Sequence, residues 1–264
     1  MTGDLDFTGT GSGQETINSG TNAWSVTGNV NFTAGTYTAT NGNTLRLVGG
    51  SAGALTLSTS TLQNLEISAS AAKTFASGAT TTINGNFTII STSTAPVFTG
   101  TTILMTSTSA TLAGGGMTLN NLTIDPSSAG TITAQTSNAG VSGELNIASG
   151  DTLSIGSVTV THSGATLTLN GTISGSGTFE YQSATTFPTS GTVSSTLRFN
   201  AVSNAQTLPS RAYGGAIEVS NTGATNRTVT FATGTYSFPS NIYLFASSSG
   251  NITLDASTNT ATGT

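Results

Sequence analysis

One short phrase recurs along this chain, and its spacing constrains the fold more than any other feature of the sequence. The copies are Asn64-Leu65-Glu66-Ile67, Asn121-Leu122-Thr123-Ile124, Phe179-Glu180-Tyr181 and Ala216-Ile217-Glu218-Val219. They align on Glu66, Thr123, Glu180 and Glu218, whose sequence numbers differ by 57, 57 and 38, which is three, three and two times 19. A strand-like phrase with a period of about 19 residues is typical of a solenoid, in which each coil of chain stacks on the preceding one.

A second set of phrases has nearly the same spacing. Its members are Val26-Thr27-Gly28-Asn29-Val30-Asn31-Phe32, Ile83-Asn84-Gly85-Asn86-Phe87-Thr88-Ile89 and Val141-Ser142-Gly143-Glu144-Leu145-Asn146-Ile147. We interpret both sets as a block of three coils that occurs at least three times. At about 19 residues per coil, residues 1–264 then form one continuous domain of roughly 14 coils, each with three short strands. The usual chirality of crossover connections predicts a right-handed parallel β-helix.

The remaining sequence favours strands almost everywhere. Apolar residues alternate with Thr in segments such as Val158-Thr159-Val160 and Leu167-Thr168-Leu169, as expected for half-buried strands. Asn-Gly pairs, for example Asn170-Gly171, separate these segments at positions where a positive φ is tolerated. No window has sustained helical spacing of apolar residues, so we expect almost no helix. An antiparallel sandwich or barrel is the alternative architecture, but it would not explain multiples of 19.

Composition agrees with a stack of coils. Only 6% of the residues are charged, whereas a disordered chain, the other reading of a Thr-, Ser-, Gly- and Asn-rich sequence, usually carries much more charge. Equivalent positions in successive coils lie about 4.8 Å apart. Two like charges at that distance repel by roughly 0.9 kcal/mol even in water, so a column of them is penalised at every step. Thr, Ser and Asn instead form ladders with their own kind.

The charge balance and the termini bear on partners and location. The net charge is −5 and the five basic residues are scattered, so we expect no nucleic-acid partner. The chain has no Cys and little Lys, and it is rich in Thr, Asn and Gly, a composition that suits an extracellular or cell-surface protein. The first residues do not read as a signal peptide, and no apolar run is long enough to span a membrane.

Two glutamates are the best candidates for chemistry. Glu180 and Glu218 would lie two coils apart, about 10 Å by the stacking distance. That distance is marginally compatible with the carboxylates of an inverting glycosidase, which are about 6.5–9.5 Å apart. The alternative is that these residues, together with Asp6 and Glu66, are outward scaffold positions that are spaced widely enough to limit repulsion. We favour the scaffold interpretation and predict no catalytic residue, no metal site and no cofactor.

Three other features bear on ligand binding. His162 is the only histidine, and we expect it to be a solvent-facing strand residue rather than a general base. Trp24 stands between polar residues and is the best candidate for an exposed aromatic that would stack on a glycan. Thr38, Thr59 and Thr80 follow one another at equal steps, as expected of a regular ice-binding surface. The series does not continue beyond Thr80.

The phrases Leu62-Gln63-Asn64-Leu65-Glu66-Ile67 and Leu119-Asn120-Asn121-Leu122-Thr123-Ile124 resemble repeats of large bacterial surface β-helix proteins. The segment from Leu169 to Phe179 is similar to the strand repeat of autotransporter passenger domains. This resemblance implies a secreted parallel β-helix that acts as a stalk or an adhesin.

These observations together predict a non-enzymatic extracellular structural protein. It would be an adhesin or stalk segment of a longer rod, or a filament subunit that stacks end to end on copies of itself, because open strand edges favour such joining. A glycan-binding or polysaccharide-degrading β-helix is the first alternative, and a Thr-rich ice-binding solenoid is the second.

Overall fold

The computed structural model describes residues 2–6, 16–18, 21–33, 36–38, 42–57, 60–90, 95–201, 205–222, 225–246, 250–255 and 260–263. These residues form strands, corners and turns, and no helix occurs among them. The strands are β1 (Leu5–Asp6), β2 (Thr16–Asn18), β3 (Ala23–Val26), β4 (Val30–Phe32), β5 (Thr36–Thr38), β6 (Thr44–Leu47), β7 (Gly53–Leu57), β8 (Thr61–Leu62), β9 (Asn64–Ile67), β10 (Lys73–Phe75), β11 (Thr80–Ile83), β12 (Phe87–Ile89), β13 (Thr102–Met105), β14 (Ser109–Gly114), β15 (Thr118–Leu119), β16 (Asn121–Ile124), β17 (Thr131–Gln135), β18 (Ala139–Val141), β19 (Glu144–Ile147), β20 (Thr152–Ile155), β21 (Thr159–His162), β22 (Thr166–Leu169), β23 (Thr172–Ser174), β24 (Thr178–Tyr181), β25 (Thr192–Val193), β26 (Thr196–Phe199), β27 (Ala205–Leu208), β28 (Ile217–Asn221), β29 (Arg227–Phe231), β30 (Thr235–Phe238), β31 (Ile242–Ala246), β32 (Ile252–Asp255) and β33 (Thr260–Gly263).

Every strand pair in the described part of the chain is parallel, and each strand pairs with strands one coil away. Sheet A has the order β1-β4-β7-β10, sheet B runs from β2 to β22 in eight strands, and sheet C runs from β3 to β25 in nine. From β15 onward a seven-stranded sheet D takes the place of sheet A, and the short sheets E (β27-β29-β32) and F (β30-β33) later take the places of B and C. The fold is therefore the predicted parallel β-solenoid, and the antiparallel alternative is wrong.

The core is a set of inward columns that run along the solenoid axis. In sheet C the Cα partners Leu45, Leu65, Phe87 and Leu112 follow one another in consecutive coils, and all four side chains are buried. Each residue before and after them in its strand points outward, because successive strand side chains alternate between the two faces. Burial of one such side chain contributes about 1.5–3 kcal/mol, and no coil can obtain that burial alone.

The coils are longer and less regular than the sequence predicts. The stacked residues Glu180 and Arg198 differ by only 18 in sequence number, whereas Asp4 and Asn29, which are also joined between adjacent coils, differ by 25. The described part of the chain consequently makes about ten turns instead of the roughly 14 expected for residues 1–264. The strands have between two and six residues, so strands and corners both vary in length from coil to coil.

The regular spacing of the first phrase has a different origin from the one inferred. Glu66 lies in sheet C, Thr123 in sheet B, and both Glu180 and Glu218 in sheet D. The steps from Glu66 to Thr123 and from Thr123 to Glu180 each cover two whole coils and two of the three strands of the next coil. The phrase therefore moves to another face at each step. The repeated unit is therefore one strand with its corner, and three such units complete a coil. The interpretation as blocks of three whole coils is wrong.

Asparagine side chains at the corners join one coil to the next, but they bond to backbone N–H groups and not to the like side chains that the ladder argument expected. The Asn64 Oδ1 atom accepts a hydrogen bond from the backbone N–H of Asn86 at 2.8 Å, and Asn86 Oδ1 in turn accepts one from Thr111 at 2.9 Å. The same contact recurs from Asn29 to Ala54, from Asn121 to Glu144 and from Asn138 to Thr159. These amides satisfy backbone donors at corners, where the sheet ladder is interrupted.

Candidate functional site

The two glutamates singled out in the sequence lie on the outer face of sheet D with an arginine between them. Glu180 is the Cα partner of Arg198, and Arg198 is the partner of Glu218, so the glutamates are two coils apart as predicted. The Arg198 Nη1 atom lies 3.2 Å from Glu180 Oε2, and its Nε atom lies 2.7 Å from Glu218 Oε2. Sequence reasoning missed this role of Arg198, although its place nearly midway between the two glutamates in the sequence is a usable signal.

Neighbouring amides complete a fixed network around this ion ladder. Glu180, which is only 8% exposed, also accepts hydrogen bonds at Oε1 from Gln182 at 2.5 Å and from Asn200 at 3.3 Å. Burial alone would lower the pKa of Arg198, but its hydrogen bonds and charge interactions with Glu218 and Glu180 outweigh burial and raise that pKa. The guanidinium therefore stays charged and bridges both carboxylates.

This geometry does not match a catalytic carboxylate pair. An inverting pair must leave room between its carboxylates for a sugar and a water molecule. In this protein the Arg198 guanidinium lies between Glu180 and Glu218, and it contacts both. The arrangement instead supports the scaffold interpretation, with one modification. The acidic residues are not merely kept apart, because opposite charges are stacked between them.

Glu66 in sheet C is also paired with an arginine of an adjacent coil. Its Cα partner in the preceding coil is Arg46, and the Arg46 Nε atom lies 2.7 Å from Glu66 Oε1. The Arg46 Nη2 atom donates to the second carboxylate oxygen at 3.1 Å, so both carboxylate oxygens lie close to the guanidinium. Asp6, the remaining acid of the predicted set, is exposed in β1 beside the buried Leu5.

A buried lysine joins three coils at the N-terminal ends of the strands of sheet A. Lys73 is 1% exposed, and its Nζ atom donates to the carbonyl oxygens of Thr27 at 2.6 Å and Ser51 at 2.9 Å. Burial lowers the pKa of Lys73. Asp4 accepts a hydrogen bond from the backbone N–H of Asn29 at 2.7 Å, which lowers the pKa of its carboxyl group. Both charged groups serve the packing of coils.

His162 is fully buried, so the expectation that it faces solvent is wrong. It occupies an inward position of β21, where its ring stacks on Tyr181 with a centroid distance of 5.8 Å. The His162 Nε2 atom lies 3.1 Å from the Gly143 carbonyl oxygen, and burial lowers the pKa of the imidazole. Asp151, the acid nearest in sequence, is also buried and accepts a hydrogen bond from the Gly130 N–H at 3.0 Å.

Trp24 is half-buried in β3 and packs partly against the core, so it is not the exposed platform that the sequence suggested. It lines a pocket of about 270 Å³ together with Leu5 and Val26. Among the described residues, the exposed aromatic side chains are instead Tyr243 and Phe245 in β31, at 41% and 48% exposure. Sequence reasoning favours a core position for such aromatic residues, because the four apolar or aromatic residues from Ile242 to Phe245 do not reveal which ones face outward.

Tyr243 and Phe245 share the outer face of sheet D with the ion ladder. Tyr243 is the Cα partner of Glu218, and Phe245 is the partner of Ser220. The two rings stack with a centroid distance of 6.2 Å. We call the set Glu180, Arg198, Glu218, Tyr243 and Phe245 the sheet D strip.

The threonine series noted in the sequence does not form one row. Thr38 and Thr82 are both Cα partners of Thr61, whereas Thr80 is the partner of Thr102 in the neighbouring row of sheet B. Thr59 lies outside the described residues. A constant step along the sequence therefore joined positions from two rows, because the coil length varies.

Comparisons with protein-family models, with curated proteins and with solved structures find no match for this chain. Within the described ranges, no group of three or more His, Cys, Asp or Glu side chains is placed to hold a metal ion. In the same part of the chain, no helix is long and apolar enough to cross a membrane.

Proposed function

We propose that this chain is a non-enzymatic extracellular structural protein, a β-solenoid segment of a cell-surface stalk or adhesin. The observation that carries the proposal is the in-register parallel pairing of nine successive strands in sheet C. At about 4.8 Å per strand, that sheet alone extends the molecule by roughly 38 Å along its axis. Charged side chains that would otherwise be available for chemistry, such as Arg198 and Lys73, are used to join coils.

The unpaired strand edges at the two ends of the described solenoid favour end-to-end association with a further coil. Strands β1 and β3 lie at one edge of sheets A and C, and β31 and β32 lie at the opposite edge of sheets D and E. Leu244 continues the inward column of Phe199 and Val219 but is 51% exposed. We propose that a further coil covers these edges, either from a neighbouring segment of a longer chain or from a second copy stacked end to end.

Electron microscopy and light scattering of the purified chain test this proposal. We expect rods whose length grows with protein concentration if copies of the chain stack on one another. Leu244→Lys places a charge at the exposed end of the column and should shorten the rods. A compact particle whose mass stays that of one chain at all concentrations would contradict self-stacking. Surface labelling of intact cells tests the extracellular location independently.

Glycan recognition is the second candidate function, and the sheet D strip favours it. Exposed aromatic rings supply faces on which sugar rings stack, and fixed carboxylate and guanidinium groups supply hydrogen-bonding partners for hydroxyls. A glycan array should then show binding that is lost in Tyr243→Ala and retained in Trp24→Ala. If any glycan is cleaved, unchanged turnover in Glu180→Gln and Glu218→Gln would eliminate that pair as catalytic residues.

A further inference from the structure

The outer face of sheet C carries a two-dimensional array of hydroxyl groups. Strands β14, β17, β20, β23 and β25 pair in register, and their outward positions form two rows along the solenoid axis. The first row is Ser109, Thr131, Thr152, Thr172 and Thr192, and the second is Thr111, Thr133, Ser154 and Ser174. All nine positions hold Ser or Thr, although these residues make up only about a third of the chain. We call this surface the Ser/Thr grid.

The positions of the grid are fixed by what lies beneath it. Each strand places a buried apolar residue between the two rows, such as Ile132, Leu153 and Ile173, all of which are 0% exposed. The pairing continues without a bulge across these strands. Six of the nine residues are threonine, which is β-branched and has few χ1 rotamers, so their hydroxyl and methyl groups are held in place at little entropic cost. The grid is therefore a preorganised surface.

The spacing of the grid follows from the sheet itself. Neighbouring positions within a row lie about 4.8 Å apart, and the two rows lie about 6.6 Å apart, because adjacent outward positions alternate with an inward one along each strand. The surface of an ice crystal presents oxygen atoms in a planar lattice with repeats of comparable length. No charged side chain lies within the grid.

We propose that the Ser/Thr grid binds the surface of ice. Each hydroxyl or methyl group contributes little by itself. Once one row is seated on the lattice, however, the remaining groups are already at lattice positions, so their contacts are effectively intramolecular. A rigid array loses little conformational freedom on binding, which preserves the sum of these contacts. A flexible ligand would not exploit this regularity, whereas a crystal face does.

Sheet B provides an internal contrast for this proposal. One of its outward rows runs through Thr82, Leu104, Thr123, Asn146 and Thr168. The leucine and the asparagine interrupt the hydroxyl pattern. The other outward row of sheet B contains the charged residue Glu144, which is the Cα partner of Thr166. The proposal therefore assigns ice binding to sheet C and not to sheet B.

The test is ice growth in the presence of the purified chain. The parent chain should shape single ice crystals into facets and should hold the freezing temperature below the melting temperature. Thr133→Lys places a long side chain at the centre of the grid and should reduce this temperature gap roughly fivefold or more at equal concentration. Thr123→Lys is the matched control, because it makes the same change at an outward strand position of sheet B, and it should retain the gap.

Circular dichroism and gel filtration confirm that both variants are folded before they are compared. Ice that grows in the parent chain as it grows in buffer would overturn the proposal. Equal loss in Thr133→Lys and Thr123→Lys, or no loss in Thr133→Lys, would also overturn it.

Discussion

The two sides of sheet D are made of neighbouring residues in the same strands, yet they use different chemistry. The columns are His162-Tyr181-Phe199-Val219 on the inside and Thr161-Glu180-Arg198-Glu218 on the outside. The inner column is aromatic and apolar, and all its members are buried. The outer column alternates negative and positive charge at the spacing of the coils. A shift of one residue along each strand thus separates a packed core from an ion ladder.

The comparison shows how each side controls its charges. Inside, burial lowers the pKa of His162 and so favours the neutral form of the imidazole. Outside, the interactions of Arg198 with Glu218 and Glu180 raise its pKa and keep it charged. A column of stacked coils therefore tolerates ionisable groups by neutralising them in the core or by alternating their signs at the surface.

The largest expected effect comes from emptying the inner column. Tyr181→Ala removes a fully buried ring that packs on His162, Phe187 and Phe199, so it should lower the free energy of unfolding by about 3–5 kcal/mol. Thr161→Ala, on the outer side of the adjacent strand, should change it by less than about 0.5 kcal/mol. Urea unfolding followed by circular dichroism measures both, and equal effects would break the distinction between the two sides.

Reversing the central charge of the outer column should have the next largest effect. Arg198→Glu creates three like charges in consecutive coils and should cost about 2–3 kcal/mol of unfolding free energy. Arg198→Met removes the ion pairs without adding a like charge, so its cost should be smaller. The same urea titration distinguishes the two variants. If Arg198→Met were as damaging as Arg198→Glu, the loss of the guanidinium contacts with Glu180 and Glu218, and not like-charge repulsion, would account for the cost.

The inner column should make stability depend on pH through His162. Because burial lowers the pKa of the folded imidazole below its ordinary value of 6.5, the unfolded chain binds the proton first as the pH falls. Stability should therefore be complete above about pH 6.5 and should decline below it, by at most about 1.4 kcal/mol per pH unit. His162→Phe keeps the stacking on Tyr181 and should remove this part of the slope in thermal melts. An identical slope in both proteins would assign the pH dependence to other groups.

The smallest expected effect concerns the more exposed ion pair of sheet C. Arg46 has 39% of its side chain exposed, so Glu66→Gln should cost only about 0.5–1 kcal/mol in dilute salt. Because exposed charges are screened, the difference from the parent chain should nearly vanish in about 1 M salt. Melting temperatures at two salt concentrations test this. A cost that is larger than that of Arg198→Met and insensitive to salt would reverse the order of the two ladders.

Sequence alone was sufficient for the class of fold and for much of the outer surface. The alternation of apolar residues with Thr is a local property of each strand, and the scarcity of charge reflects the stacking of like positions. The spacing of Glu180 and Glu218 by two coils was also predicted, because the intervening corners are close to the assumed length. The absence of helix in the described residues follows from the same reasoning.

Only the tertiary structure decided the register between coils and hence the face on which each phrase lies. Corner lengths vary from coil to coil, so the sequence separation of stacked partners varies too, and sequence arithmetic accumulates errors. This error gave Glu66 and Glu180 equivalent positions in whole coils and hid the Ser/Thr grid, whose rows advance by unequal steps along the sequence. The burial of His162 depended on register as well. Alternation along a strand is fixed by local geometry, whereas the contacts between coils are selected by packing of the shared core.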